Sequence, residues 1–195
     1  MHRICVFTGS NPGTRPEYQQ AARSLAQAMV ARGLGLVYGG ASVGLMGVLA
    51  DTVLAGGGEV QGVIPRGLFR REVPHKGLTQ LHEVASMHER KALMSDLSDG
   101  FIALPGGFGT FDELFEIITW AQLGLHNKPI GILNVAGYFD PFFALVVHAS
   151  AEGFIPTSHQ SLLMSEDNPM NLLDRFAAYT PQAKVSKWTE IPPEC

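Results

Sequence analysis

The sequence predicts an α/β protein: a three-layer sandwich in which a parallel β-sheet of about seven strands is flanked by helices. Three observations predict it. Apolar, strand-like runs alternate with segments of helical periodicity. Several runs are near-continuously apolar, which suits parallel strands covered on both faces. Three strand ends carry glycine-rich turns, and each turn leads into a helix.

The expected strands are Ile4–Thr8, Leu34–Tyr38, Glu59–Ile64, Leu81–Ala85, Gly100–Leu104, Ile130–Asn134 and Leu162–Ser165. The first helix shows Tyr18, Ala22, Leu25 and Met29 on one face; Thr14 and Pro16 suit its start and Gly33 its end. Gly44–Ala55 is a second helix, closed by three glycines. Met87–Leu97, Thr110–Leu123, Tyr138–Glu152 and Pro169–Tyr179 complete the set. Residues 1–180 read as one α/β domain. Residues 181–195, with Pro192 and Pro193, read as a C-terminal tail.

The chain has 195 residues, 46% hydrophobic and 16% charged, enough for one full core. A net charge of −4 argues against a general nucleic-acid binder. Arg66, Arg70 and Arg71 form a small basic patch that reads as solvated. No apolar run approaches the roughly 20 residues of a membrane span. Cys5 and Cys195 make neither a disulfide framework nor a metal-ligand spacing, so a reducing cytoplasm is expected. His75, His82 and His88 have no second ligand at helical spacing, and no metal is expected.

Ligands of such sheets bind at the carboxyl ends of the strands, where strand order reverses. The glycine turns fall there: Thr8 to Gly13, Gly39 to Gly47, and Pro105 to Thr110. Glycine lets a backbone approach an anion closely, and a helix start offers free N–H groups and partial positive charge. A single turn of this kind needs no ligand, since glycine also makes ordinary tight connections. Three on one sheet edge point to phosphate. None is a Walker A loop, and none has the Gly-x-Gly-x-x-Gly spacing, so neither ATP hydrolysis nor NAD chemistry is indicated and no cofactor is expected.

Two constellations carry possible chemistry. Thr110-Phe111-Asp112-Glu113 matches a capping box, which alone would explain it. It also puts an acid beside a candidate phosphate loop. Glu116, one turn later, reads as solvated or structural. Ser86-Met87-His88-Glu89-Arg90-Lys91 opens the helix before the strand that feeds Pro105, so both segments should reach one sheet edge. Arg90 suits bidentate binding of phosphate or carboxylate. Lys91 points about 100° away around the helix. An ordinary exposed pair is the alternative.

Pro105-Gly106-Gly107-x-Gly109-Thr110-x-x-Glu113, with Met87-His88-Glu89-Arg90-Lys91 upstream, closely resembles the Lonely Guy family. These are cytokinin riboside 5′-monophosphate phosphoribohydrolases, often mislabelled as lysine decarboxylases. The likeness includes Gly9-Ser10, Tyr38-Gly39-Gly40-x-x-x-Gly44-Leu45-Met46-Gly47, Ile64-Pro65, Thr119-Trp120-Ala121-Gln122-Leu123-Gly124 and Glu152-Gly153-Phe154-Ile155. The resemblance implies a Rossmann-like fold, a homodimer, and hydrolysis of a nucleoside 5′-monophosphate to free base and ribose 5-phosphate. It implies Arg90 and Glu113 as the catalytic pair and Gly107 to Thr110, with Phe108 and Gly109, at the phosphate. Glu72, Lys91 and Thr119 would line the nucleotide site, as would Gly9, Ser10, Gly39, Gly40, Gly44, Met46, Gly47, Met87 and Gly106.

Breaking a C1′–N bond builds positive charge on the sugar ring. A carboxylate near C1′ would stabilise that charge and could activate water, the role expected of Glu113. Arg90 could keep Glu113 ionised, bind the phosphate or help the departing base; the sequence does not choose. Folding is expected to bring the two to opposite sides of one bound sugar-phosphate. The alternatives are a nucleosidase for AMP or other purine nucleotides, and a nucleotide or molybdenum-cofactor carrier without turnover. Lysine decarboxylation would need pyridoxal phosphate on a lysine, and Lys76, Lys91, Lys128 and Lys184 offer no convincing site.

Overall fold

Alternate residues of each central strand face opposite ways, and both faces are apolar. Ile4 and Val6 of β1 (Arg3–Phe7) pack with one hydrophobic cluster, Cys5 and Phe7 with another. That double burial forces helices onto both sides of the sheet. The computed structural model describes residues 1–66 and 73–181. The remaining elements are α1 (Pro16–Ala31), β2 (Gly35–Tyr38), α2 (Gly44–Ala55), β3 (Val60–Pro65), β4 (Gln80–Val84) and α3 (Met87–Asp96). They continue with β5 (Gly100–Ala103), α4 (Phe108–Gln122), β6 (Ile130–Leu133), α5 (Asp140–Ala151), β7 (Leu163–Glu166) and α6 (Pro169–Ala177).

The seven strands form one sheet in the order β4-β3-β2-β1-β5-β6-β7, and every pairing is parallel. This is the expected Rossmann-like α/β sandwich. Helices α1, α2 and α6 supply one core cluster through Leu25, Met29, Leu49 and Phe176. Helices α3 and α4 supply the other through Met94, Leu114 and Ile117, around Phe7 and Phe101, whose rings stack at 6.0 Å. β2, β3, β5 and β6 are buried throughout. The edge strands β4 and β7 are partly exposed.

Several expected boundaries move, each for a local reason. α4 begins at Phe108, not Thr110, with Gly107 at its N-cap and no side-chain cap. Thr110 therefore lies inside the helix, and the expected Thr110–Glu113 capping box does not form. A related cap forms at α3, its carboxylate reaching one residue before the N-cap Ser86. There Ser86 Oγ accepts from the Glu89 amide (3.1 Å), and Glu89 Oε2 accepts from the Ala85 amide (2.8 Å). α5 begins at Asp140, because Ala136 (φ 53°) and Gly137 (φ 72°) take left-handed backbone just before it. α6 ends at Ala177. Glu72, Arg70, Arg71 and most of the expected tail lie outside the described residues; Arg66 is exposed beside Glu83.

Candidate active site

The chain leaves β1 toward one sheet edge and later enters β5 toward the other, so the loops after these two strands part and leave a crevice. Two bonds tie the loops at its base. Thr8 Oγ1 (3.2 Å) and the Gly9 amide (3.1 Å) both donate to the Pro105 carbonyl. The start of α2 closes in behind, its Leu45 amide donating to the Gly9 carbonyl (3.1 Å). That approach demands glycine at position 44, where φ is +59° and a Cβ would sit 2.3 Å from the Ser10 backbone.

The result is a cleft of about 700 Å³. One wall is the loop Pro105 to Gly109 and the first two turns of α4, through Thr110 and Glu113. The first helical amides have no acceptor within the helix and carry its positive dipole end, so this wall could receive an anion. Gly106 packs so tightly against Thr110 and Gly9 that a Cβ would lie 2.0 Å from Thr110 Oγ1. Around Gly107 and Gly109 the space is open.

Arg90 enters from the first turn of α3 and is buried. Its Nη2 donates to the Gly39 carbonyl (3.3 Å) and lies 4.0 Å from Glu113 Oε1. Its Nη1 reaches Met87 Sδ at 3.8 Å. Arg90 and Glu113 thus share one cleft, as expected, but as neighbours. The expectation of opposite sides is corrected: at ion-pair range no sugar fits between them, and a ligand must lie against both from the open side.

Of the residues named from the sequence, Gly9, Ser10, Gly39, Met46, Met87 and Arg90 line this cleft. So do Gly106, Gly107, Phe108, Gly109, Thr110 and Glu113. Gly40, Gly44, Gly47, Lys91 and Thr119 are not among its lining residues. Gly40 takes a left-handed turn (φ 82°), and a Cβ on Gly47 would meet the Ser42 carbonyl at 2.3 Å. Thr119 Oγ1 donates to the Phe115 carbonyl of its own helix (2.7 Å). Lys91, rotated away from Arg90 around α3, bonds Glu116 (3.0 Å) and Asp112 (3.1 Å), so it ties α3 to α4. Burial pulls its ammonium pKa down, but the bonds to Glu116 and Asp112 outweigh that and raise it. Glu116 is structural in this sense.

Sequence reasoning missed Tyr138, Tyr18 and Asp112 on the cleft wall; Asn11, also there, falls within the expected Thr8–Gly13 turn. Tyr138 follows the sixth strand run, so the strand-end rule pointed to it. Tyr18 was hidden inside an ordinary amphipathic pattern. Cys5 is fully buried; burial first, and the charge of Glu113 next, hold its thiol well above its usual range. It stays protonated and is no nucleophile.

The family model described as "Possible lysine decarboxylase" matches residues 46–176. The probable cytokinin riboside 5′-monophosphate phosphoribohydrolase LOGL1 of Oryza sativa subsp. japonica is 52% identical, over 91% of this chain and 80% of that protein. The cytokinin riboside 5′-monophosphate phosphoribohydrolase LOG of the same plant is 47% identical, over 94% and 76%. LOG7 of Arabidopsis thaliana, of the same name, is 47% identical over 92% and 83%. Among solved structures, the molybdenum cofactor binding protein of Rippkaea orientalis aligns with a TM-score of 0.68 at 19% identity, over 91% of this chain and 96% of that one. That likeness is one of fold. Decarboxylation of lysine requires pyridoxal phosphate on a lysine. Among the described residues no lysine lines the cleft; Lys91 is tied to acids and Lys128 Nζ to the Ser95 carbonyl (2.8 Å), so the residues do not fit that cofactor. By sequence over nearly its whole length, and by the fold and cleft that sequence builds, the chain belongs to the family of the cytokinin riboside 5′-monophosphate phosphoribohydrolases.

Proposed function

We propose that this protein hydrolyses the N-glycosidic bond of a cytokinin riboside 5′-monophosphate, releasing the free base and ribose 5-phosphate. The observation that carries the reading is the Arg90–Glu113 pair, 4.0 Å apart inside a cleft whose wall is a glycine loop and a helix start. The names of relatives about half identical to it support the substrate class.

The 5′-phosphate binds at Gly106 to Thr110, on the free amides of α4. Five residues, about 7.5 Å along the axis, separate that helix start at Phe108 from Glu113. A ribose spans a comparable distance between its 5′-phosphate and C1′, so phosphate binding sets C1′ against the carboxylate. Such positioning removes several kcal/mol from a barrier. As the C1′–N bond breaks, its electron pair leaves with the base and positive charge grows on the sugar. Glu113 stabilises that charge and takes a proton from the attacking water, whose oxygen bonds C1′. The departing base takes up a proton from solvent and Glu113 gives its proton back to solvent, so the net change is the addition of one water. Arg90, beside the carboxylate and held by Gly39, keeps Glu113 oriented and adds positive charge facing the phosphate.

The protein acts as a homodimer in this reading. Helix α5 has the sequence DPFFALVVHASA yet no buried residue, and Leu145 and Val147 are more than half exposed. Phe115 of α4 touches Phe142 of α5 (ring centroids 5.3 Å) and continues the apolar face. The buried free thiol of Cys5 fits a reducing cytoplasm.

Incubation with isopentenyl-adenosine monophosphate and with AMP, followed by assay of free base and ribose 5-phosphate, tests the reading. Release from the first supports it. Release only from AMP makes the protein a purine-nucleotide nucleosidase. Tight binding of either without base release makes it a carrier and overturns the hydrolase.

A further inference from the structure

The turn between β6 and α5 is built at a cost. Ala136 holds φ 53° and ψ 32°, a left-handed conformation that an alanine adopts rarely, and Gly137 follows at φ 72°. The surroundings lock the turn in place. Asn134 Nδ2 donates to Asp140 Oδ1 (2.7 Å), and Asn134 Oδ1 accepts from the Phe139 amide (2.8 Å). The Asn134 amide is itself anchored to the Glu166 carbonyl on β7 (2.8 Å). Strain held this firmly points to a purpose at the next residue, and the next residue is Tyr138.

Tyr138 reaches back across the end of β5 into the cleft wall, where its hydroxyl donates to the Gly106 carbonyl. Its ring is held edge-on by Tyr18 (5.7 Å) and by Phe139 (5.0 Å). The Gly106 carbonyl belongs to the peptide that enters the glycine loop. In a planar trans peptide, fixing the carbonyl also fixes the Gly107 N–H, which points the opposite way. Glycines on both sides of that peptide leave it otherwise free to rotate.

We propose that Tyr138 is a positioning residue for the phosphate subsite: through the Gly106 carbonyl it sets the orientation of the loop amides that receive the 5′-phosphate. The proposal rests on the nucleotide reading above. It assigns Tyr138 no contact with the reacting atoms. Its work is to prepay the ordering of the loop, so its loss appears in binding of the phosphate and not in bond cleavage.

Tyr138→Phe removes only the hydroxyl and keeps the ring between its neighbours. Losing one such bond corresponds to roughly three- to tenfold in affinity. The expected result is that KM for the nucleoside monophosphate and Kd for ribose 5-phosphate, read by calorimetry, rise by about that factor. The kcat should stay within about twofold, because bond cleavage is assigned to other groups. Ala136→Val, β-branched and resistant to positive φ, perturbs the turn itself and should raise the same KM. Equal affinity of wild type and both variants for ribose 5-phosphate overturns the proposal alone. So does a fall in kcat with KM unmoved, the mark of a merely structural role. A wild-type protein that neither binds ribose 5-phosphate nor releases base overturns the nucleotide reading and this proposal with it.

Discussion

Arg90 Nη2 and Glu113 Oε1 lie 4.0 Å apart, each buried and each carried in the first turns of a different helix. The packing of α3 beside α4 creates this relationship, and Lys91 reinforces it by bonding Asp112 and Glu116 next to Glu113. In the proposed reaction this carboxylate, beside a guanidinium, meets the cation that develops on the phosphorylated sugar.

Glu113→Gln keeps the shape of the side chain and removes its charge and basicity. Turnover should fall by about 10²- to 10⁴-fold. The Kd for ribose 5-phosphate, measured by calorimetry, should change little. A variant at normal rate would sink the role of Glu113.

Gly39→Ala displaces Arg90 without altering it. The added Cβ would lie 2.0 Å from Arg90 Nη2, the movable end of a side chain. Circular dichroism should report a folded protein with little change in Tm, while base release falls tenfold or more, by about the 1.4 kcal/mol per decade of rate. Full activity would mean that the seat of Arg90 beside Gly39 is dispensable.

Two glycines of one loop should respond in opposite ways. Around Gly109 nothing lies within 4 Å, and its backbone is helical, so Gly109→Ala should raise stability by about 0.4–1 kcal/mol while weakening phosphate binding. Gly106→Ala meets Thr110 and the Gly9 backbone amide at 2.0 Å and 2.9 Å, and should lower Tm as well as binding. Thermal melts with and without ribose 5-phosphate separate the two effects.

Leu145→Asp places a charge on the exposed face of α5, where an isolated chain would tolerate it. Sedimentation velocity should show a dimer for the wild type and a monomer for the variant. Two identical sedimentation profiles would remove the dimer.

His126 joins the end of α4 to β6: it bonds the Ile117 carbonyl through Nε2 (2.9 Å) and accepts from the Lys128 amide at Nδ1 (3.2 Å). Both bonds suit the neutral ring. Burial first, with the Lys128 charge adding and the Ile117 bond opposing, holds its pKa below the ordinary 6.5. The unfolded chain therefore binds the proton more readily, so stability is unaffected above that value and declines as pH falls below it. Tm should drop between pH 6.5 and 5, and His126→Gln should flatten that slope.

The resemblance drawn from the glycine turns and the Arg-Lys motif named the family that the relatives then showed. Among the described residues, periodicity located the seven strands and six α-helices to within a few residues, most plainly the central strands buried on both faces, but not the 3-10 turn Thr157–Leu162. It misplaced the start of α4 for a physical reason: Thr110 to Glu113 has the letters of a capping box, but helix propagation through Phe108 and Gly109 won. Ser86 and Glu89, at the same spacing, do cap α3: Ser86 accepts from Glu89 and Glu89 from Ala85.

Local chemistry, then, is what the amino-acid order by itself determined: which segments are strands, which turns need glycine, which residues could hold phosphate or carry charge. Tertiary structure alone decided the neighbours. It set Glu113 beside Arg90 instead of across a ligand, turned Lys91 to acids on α4, and brought Tyr138 to the Gly106 carbonyl. The reason is that pattern along a chain reports each residue's own preference for water or backbone shape, whereas a contact between distant residues depends on how the sheet orders its strands and how the helices pack upon it.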